Sequence, residues 1–499
     1  MMRIVLFAFF TVLLSAWQAP PAAAASADDS KLKPLPPIPL SLNEVLAWVD
    51  RSHPLLRGAG AEKISARGKL LKALGAFEPT LVNDFELESF IPSSKALIGA
   101  RDDRMGGFND TFLEMKHPSG IRAMGGIRQG INPILNPDLV FNNGQNQILV
   151  GGSIPLLKGL LVNAENAELQ RSELADPRAE IEIAQTRQDL FLAAASQYWD
   201  WVAVWKLADV QQRALKVAED RFRQIEERAK KGLSAPLDAV EANQEVQRRR
   251  EILIGATRAV EQEQYKLSLF LWDNGTPVSP AGARVPDFPK ALPLPAPETV
   301  KADKLAARAS RPEVLAVGVE AKANNINLEL AKNNLLPSLD LTADPPRSPQ
   351  SYVLGLGYRF GAEFRMPFLQ RKARGEALEA QGKADRLALT QRFREQQVIV
   401  DVDNAMSAVE RAKQRIEAAL QSLQLAKTLE EGERFRFSLG ATSVLFVNLR
   451  ERNAVDSENQ WIRAVADYQR ALAQYQWATG TWAKAPLSVI PASYKPAAK

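Results

Sequence analysis

Two hydrophobic periods alternate along this sequence, and each appears twice. Val398, Val402, Ala405, Val409, Ala412, Ile416, Ala419, Leu423 and Ala426 fall at alternating steps of four and three, a coiled-coil seam along a long helix. Trp201, Val204, Ala208, Leu215, Ala218, Phe222, Ile225 and Ala229 keep that spacing earlier in the chain, interrupted only by Gln211. Residues 178–231 contain neither Gly nor Pro, so a single helix there would run roughly 81 Å, longer than an ordinary domain is wide. Each long pattern stops at a glycine, Gly232 or Gly440, and a second helical pattern follows over 237–274 and 444–479. A left-handed glycine just past a helix lets the chain reverse. The expectation is two long antiparallel hairpins, with both glycines at positive φ.

Ahead of each hairpin the period falls to two. Tyr352, Leu354, Leu356, Tyr358 and Phe360 alternate with Val353, Gly355, Gly357, Arg359 and Gly361, and Ile121, Ala123 and Ile127 alternate with Arg122, Met124, Gly126 and Arg128. One face is apolar and the other small or basic over about ten residues, the pattern of a tilted strand crossing an outer membrane. A half-buried strand of a soluble sheet would look the same locally. The export signal and the lack of a sizeable β-rich core domain favour the barrel.

The alternation of periods reflects an internal duplication. Arg51-Ser52-His53-Pro54 is echoed by Ala309-Ser310-Arg311-Pro312, and Glu78-Pro79-Thr80-Leu81 by Leu336-Pro337-Ser338-Leu339, both at an offset of 258. Ile154-Pro155-Leu156-Leu157 matches Met366-Pro367-Phe368-Leu369 at 212, and Gly232-Leu233-Ser234 matches Gly440-Ala441-Thr442 at 208. The drop in offset puts about 46 extra residues in the first copy between Pro79 and Pro155, around loop-like segments at 131–133 and 142–144. The expected organisation is a signal peptide (1–27), a first repeat (28–275), a Pro-rich linker (276–298), a second repeat (299–482) and a tail (483–499). Each repeat carries a helix, strands and a long helical hairpin.

Composition narrows the chemistry. Arg3, the apolar run Ile4 to Trp17 and the small-x-small triplet Ala25-Ser26-Ala27 before Asp28 read as an export signal. No later stretch holds 18 uninterrupted apolar residues, so residence in a membrane would have to be as a β-barrel or at its surface. With 63 Lys and Arg against 58 Asp and Glu the net charge of +5 is too mild to imply a nucleic-acid partner. The absence of cysteine removes thiol nucleophiles, Cys-ligated zinc, iron–sulfur clusters, disulfides and an acylated N-terminal cysteine. Two histidines, His53 and His117, sit apart in a helical and a β-rich stretch and read as structural. No cofactor or metal set stands out, and no enzyme activity is expected.

Two repeats thus supply about four spanning strands, too few to close around a channel, and helical faces too apolar for one hairpin to bury. Several copies must share one barrel.

The chain resembles the TolC-like outer-membrane efflux proteins over nearly its whole mature length, from Leu40-Ser41-Leu42-Asn43-Glu44 to the end of the last helix near Thr479. The most specific parts are the duplicated Pro-Ser/Thr-Leu and Pro-Leu/Phe-Leu motifs. The hairpin tips Gly232-Leu233-Ser234-Ala235-Pro236-Leu237-Asp238 and Gly440-Ala441-Thr442-Ser443-Val444-Leu445 add to them. The resemblance implies a mixed α and β fold: a homotrimer giving four strands per chain to a 12-stranded barrel in outer-membrane lipid, continued by a periplasmic helical barrel. It implies barrel-to-helix junctions at Pro79, Pro155, Pro337 and Pro367. The implied function is a passive exit duct engaged by a periplasmic adaptor and an inner-membrane pump of RND or ABC type. The adaptor would meet the tips, at Gly232, Leu233, Ser234, Ala235, Gly440, Ala441, Thr442 and Ser443. A periplasmic coiled-coil adaptor or scaffold is the competing reading, but an adaptor would bring one hairpin without duplication.

Two departures stand out. The first copy shows four alternating segments, near Leu81 to Phe90, Thr111 to Lys116, Ile121 to Ile131 and Ile148 to Ile154, where the family usually has two strands; they read as long, bent strands or as an extra hairpin outside the membrane. At the closed aperture, the positions matching the family's two acidic residues are Phe446 and Leu449, the matching arginine is Thr442, and Asp238 keeps its charge. An aperture closed by apolar packing of Phe446 and Leu449 follows, with Phe446 packed between helices as the alternative.

Other signals read blandly. The Gly355, Gly357 and Gly361 pattern opens no helix and is no nucleotide loop. Arg248-Arg249-Arg250 reads as a solvated or inter-helix face, Glu226-Glu227 and Glu430-Glu431 as coiled-coil charge, and Trp199, Trp201 and Trp205 as helix packing.

Overall fold

The computed structural model describes residues 33–34, 39–90, 104–131, 146–282, 284–289, 292–344 and 359–483. The export signal, the loop-like segments within 132–145, the alternating residues Tyr352 to Tyr358 and the tail from 484 lie outside the described residues.

A short strand β1 (Lys33–Pro34) precedes two helices joined at a corner, α1 (Leu42–Ser52) and α2 (Pro54–Leu74). Ser41 caps α1 in a reciprocal box with Glu44, which satisfies donors that the first turn leaves unpaired. His53 ends α1 and caps α2 with its ring, because Pro54 at the first position of α2 cannot continue the α1 ladder. Four strands follow: β2 (Thr80–Phe90), β3 (Arg104–Lys116), β4 (Arg122–Ile131) and β5 (Asn146–Pro155). Then come α3 (Ala164–Glu173), the long α4 (Ala175–Lys230), α5 (Pro236–Ser268), and the small strands β6 (Trp272–Asp273) and β7 (Thr276–Ser279). The second copy runs α6 (Pro297–Ser310), α7 (Pro312–Asn333), β8 (Ser338–Asp344), β9 (Arg359–Arg365), α8 (Arg371–Ser438) and α9 (Val444–Ala478).

The duplicated plan is therefore present, with one correction of number. β2, β3, β4, β5, β8 and β9 form a single six-stranded sheet in that order, every pairing antiparallel. The sheet holds six strands where four were expected, the addition being the hairpin β3–β4. The extra residues between Pro79 and Pro155 are largely this hairpin, whose turn over 117–121 packs on the helical side of the sheet: Leu161 N–H donates to the Ser119 carbonyl at 3.0 Å, and Asn163 Nδ2 to that of Pro118 at 2.8 Å. Gly126 of β4 lies under Phe112, where a Cβ would come within 2.4 Å of the Phe112 backbone, so only glycine admits this approach.

The helical boundaries shift for local reasons. α4 starts at Ala175 and takes Pro177 into its first turn, where the missing N–H costs nothing. α5 stops at Ser268 rather than 274, because Asn274 and Gly275, both at positive φ, make the two-residue turn of the β6–β7 hairpin. β7 also pairs in parallel with β1, so part of the Pro-rich linker is built into a three-stranded sheet. Downstream, Phe288 stacks edge-on against Trp461, and the Pro293 carbonyl accepts the Tyr468 hydroxyl.

Seam residues are the buried ones. Val398, Val402, Ala405, Val409, Ile416 and Leu423 of α8 are all buried, five of them with Ala464, Val465 and Tyr468 of α9 in one core. A second core gathers Val45 and Val49 of α1, Tyr198 and Trp201 of α4 and Leu267 of α5. At roughly 1.5 Å per residue, α4 and α8 extend about 80–100 Å.

Candidate functional site

The sheet is two-faced. The alternation sends Leu81 and Phe85 of β2, Leu113 and Met115 of β3, Ile127 of β4 and Ile148, Val150 and Ile154 of β5 to one face, where all are exposed. Phe360 and Phe364 of β9 share that face through the β8 register. Asp110 and Arg128 occupy the opposite face as a buried bidentate pair across β3 and β4, at 2.7 and 2.6 Å. A continuous exposed apolar face opposite a polar one is what a wall between lipid and water requires.

All four prolines expected at the junctions lie where sheet meets helix: Pro79 just before β2, Pro155 closing β5, Pro337 just before β8 and Pro367 just after β9. The loops there are bonded together, with Leu156 N–H donating to Leu339 O at 2.8 Å and Gln370 Nε2 to Leu335 O at 3.1 Å. Met366, Phe368 and Leu369 continue the apolar face beyond β9 and are exposed, Phe368 almost completely.

At the far end, Gly232 and Gly440 have φ of 70° and 72°, as the hairpin reading required. Leu233 N–H reaches back to Arg228 O and Ala441 N–H to Arg436 O, closing each helix with a left-handed cap. Ala235 and Ser443 then begin α5 and α9. Ser234 Oγ contacts Ile225 O, while Leu233, Leu237 and Leu445 are exposed around the turns. Ile225, Ala242 and Val444 form a small core that holds the two tips side by side.

Phe446 and Leu449 sit three residues apart on one face of α9, both about half exposed (52% and 44%). Within one chain Phe446 is thus not packed away between helices. Asp238 lies in the first turn of α5, half-buried, and Thr442 in the second tip; the single chain does not assemble these residues into one cluster.

A polar cluster that sequence reasoning missed lies about 16 Å above the tips, eleven residues along the helix. Glu451 of α9 accepts from Arg221 of α4 and from Arg434 of α8, and Asn448 also accepts from Arg221. Glu245 of α5, its side chain 4% exposed, accepts from Arg249 of its own helix at 2.8 Å and from Arg452 of α9 at 2.6 Å. The cluster ties the first-copy hairpin to the second. Burial works against the charge on the Glu245 carboxyl, yet hydrogen bonds and charge from Arg452 and Arg249 hold it below the usual carboxylate range. Burial, assisted by Arg434, pulls the Arg221 guanidinium down to about 10 despite Glu430 and Glu245. For Glu430, burial outweighs Arg434, Arg221 and Lys427 and raises the carboxyl. The i,i+4 spacing of Glu245 and Arg249 was visible in sequence; the partners on other helices were not.

The remaining signals find structural roles. Arg249 is buried on Glu245, Arg250 pairs with Glu219 and Arg248 leans on Glu245. Glu226 pairs with Lys230 and Glu430 with Arg434. Trp199 and Trp201 lie in the core around Tyr198, whereas Trp205, expected to pack between helices, is exposed, with the Lys206 ammonium over its ring. His53 is buried beside Phe270 and Trp272, and His117 Nδ1 meets Ser119 in the β3–β4 turn. Among the described residues no group of three or more His, Cys, Asp or Glu could hold a metal, and no helix is long and apolar enough to cross a membrane.

A sheet apolar on one face, continued into twice-repeated long helical hairpins, is the TolC-like outer-membrane channel fold. The chain is similar to the Campylobacter jejuni CmeC outer membrane channel at 12% identity and a TM-score of 0.63, covering 88% of this chain and 85% of that one. Against the outer membrane protein VceC of Vibrio cholerae the identity is 14% and the TM-score 0.64, covering 88% and 96%. A membrane protein from Pseudomonas aeruginosa gives 16% and 0.65, covering 89% and 90%. No protein-family model matches the chain, and no curated protein does. At these identities the likeness is one of fold.

Proposed function

We propose that the chain forms, as a homotrimer in the outer membrane, a passive exit duct that carries substrates from a periplasmic adaptor and an inner-membrane pump to the exterior. The observation that carries this reading is the exposed apolar sheet face, with Phe85, Ile148 and Phe364 about half exposed or more, set at the end of the long hairpins. A periplasmic adaptor or scaffold would leave that face in water, where a patch this large promotes aggregation. Membrane fractionation and mass measurement in detergent test the proposal. Trimers in the outer-membrane fraction are expected; a soluble periplasmic monomer overturns it.

The tips are the docking points for the adaptor in this reading. A Cβ at Gly232 or Gly440 would meet nothing within 4 Å, so a substitution acts through backbone strain alone. Gly232→Val and Gly440→Val are each expected to cost roughly 1–2 kcal/mol locally, leaving trimers intact while adaptor cross-linking falls. Undiminished cross-linking in both variants would move the docking point elsewhere.

The aperture is closed by Phe446 and Leu449 from three copies, an apolar constriction that blocks ions by dewetting. Phe446 is about half exposed within the chain and so is free to meet its copies. Single-channel recordings of Phe446→Ala are expected to show a several-fold rise in conductance, and the wild type little block by multivalent cations added from the periplasmic side. Strong cation block abolished in Asp238→Ala, with Phe446→Ala unchanged, would make the gate electrostatic instead.

A further inference from the structure

Among the described residues the six-stranded sheet leaves two edges, β2 and β9, without a neighbouring strand. In hydrocarbon each unpaired backbone N–H and C=O costs several kcal/mol, so both edges must find partners. They cannot find each other: six strands closed on themselves would make a cylinder about 12 Å across between backbones, and even eight strands only just hold their own side chains. The two edges are, however, complementary. β2 leaves the helices at Thr80 and β9 returns to them at Arg365, so the β2 edge of one copy meets the β9 edge of the next in antiparallel sense. The alternation of directions continues around the ring without a parallel pair.

The width of each layer supports the same count. α2, α4, α7 and α8 stand side by side beneath the sheet, through the contacts α2 with α4, α4 with α7 and α7 with α8. Four helices at 9–10 Å spacing span about 38 Å of arc. Six strands spaced about 4.8 Å and tilted 35–45° span about 38 Å as well.

The extra hairpin is built as membrane wall. Leu113 and Met115 of β3 and Ile127 of β4 are exposed on the same face as Leu81 and Ile148 of the flanking strands. Polar residues on that face are satisfied among themselves: Asn83 Nδ2 donates to Asn109 Oδ1 at 2.8 Å and to Thr111 Oγ1 at 2.7 Å, which offsets their cost in lipid. The charged pair Asp110 and Arg128 faces the other way. A hairpin folded outside the membrane would need none of this partition.

We infer that the assembled outlet is an 18-stranded barrel, six strands from each of three copies, sealed where β2 of one copy pairs with β9 of the next and with β3 and β4 inside the lipid-facing wall. The inference rests on the trimeric duct proposed above. Its outlet would be about 36 Å across between backbones, against about 24 Å for 12 strands at the same tilt, so the barrel continues the helical tunnel without narrowing.

Electron cryomicroscopy of the full chain in lipid nanodiscs counts the strands directly, with 18 in a closed ring expected. A trimer with 12 membrane strands and the β3–β4 hairpin folded off the wall overturns the inference and leaves the duct reading standing. A particle without any shared barrel sinks both. Because the chain has no cysteine, a spin label at Ile127→Cys gives a second measurement, with Ile148→Cys as the lipid-facing reference. Oxygen should relax the two labels equally and a water-soluble nickel chelate neither; nickel-dominated relaxation at 127 alone would place β4 outside the bilayer.

Discussion

Replacing Arg311 by alanine is expected to destabilise the helical part by about 3–5 kcal/mol, the range for removing one member of a buried ionic network. Arg311 is 3% exposed at the corner between α6 and α7. Its Nη1 donates to Asp401 of α8 at 2.9 Å and its Nη2 to Glu313 at 2.6 Å, while the guanidinium lies 4.3 Å from the ring centroid of Trp477 on α9. Alanine leaves two carboxylates partly buried without their cation and an uncovered indole. Urea denaturation of the detergent-solubilised protein, followed by helical circular dichroism, measures the loss. Adding Asp401→Asn should return part of it, with a coupling of about 1 kcal/mol or more; strict additivity would mean that the pair contributes little. The pH dependence has a defined sign. Burial would push the Glu313 carboxyl up, but Arg311 brings it below its ordinary value. Its contribution is therefore full above the unfolded carboxylate range and fades as pH falls through the depressed value. Arg311→Ala should flatten that acid limb.

The second large effect is expected at the cross-tie between hairpins. Glu245→Leu strands buried Arg249 and half-buried Arg452 and should cost about 3 kcal/mol, the lower end of the range because Arg452 can turn toward water. Hydrogen exchange near the far ends of α5 and α9 should accelerate, while the core around Tyr198 stays protected. Unchanged exchange in both helices would show that the tips are held by the Ile225, Ala242 and Val444 core alone. The two acids of the region act with opposite sign. Glu245, depressed when folded, adds stability above the unfolded carboxylate range and loses it on acidification. Glu430, raised by burial, opposes the folded state when ionised, so its protonation is favourable as pH falls through its raised value. Glu430→Gln should therefore gain stability at neutral pH, where Glu245→Gln loses it.

The two copies show how one corner was solved twice. His53 and Arg311 hold equivalent places before Pro54 and Pro312, with nearly the same backbone, φ of −66° at each. His53 packs among Phe270 and Trp272, and burial lowers its pKa against a hydrogen bond that its ring donates to the Leu269 backbone carbonyl. Arg311 is held instead by carboxylates from its own helix and from α8. The proline dictates the corner, and the neighbours decide whether a neutral ring or a cation fills it.

Features carried by short-range physics were legible in the sequence. The seam from Val398 to Leu423, the glycine caps at 232 and 440, the proline junctions and the alternating strand faces each depend on residues a few positions apart. Period and backbone conformation are fixed locally. Even the surplus residues between Pro79 and Pro155 could be counted. That they form two more strands of the same sheet was decided by the pairings of β3 with β2, of β3 with β4 and of β4 with β5, and periodicity carries no record of which strand lies beside which. The Arg221, Glu245, Glu451 and Arg452 cluster was hidden for the same reason: its members come from three helices and look like ordinary surface charges until packing removes their water. Local sequence determined the elements and their faces; only tertiary contact decided how many strands share the sheet and the partners of the buried charges.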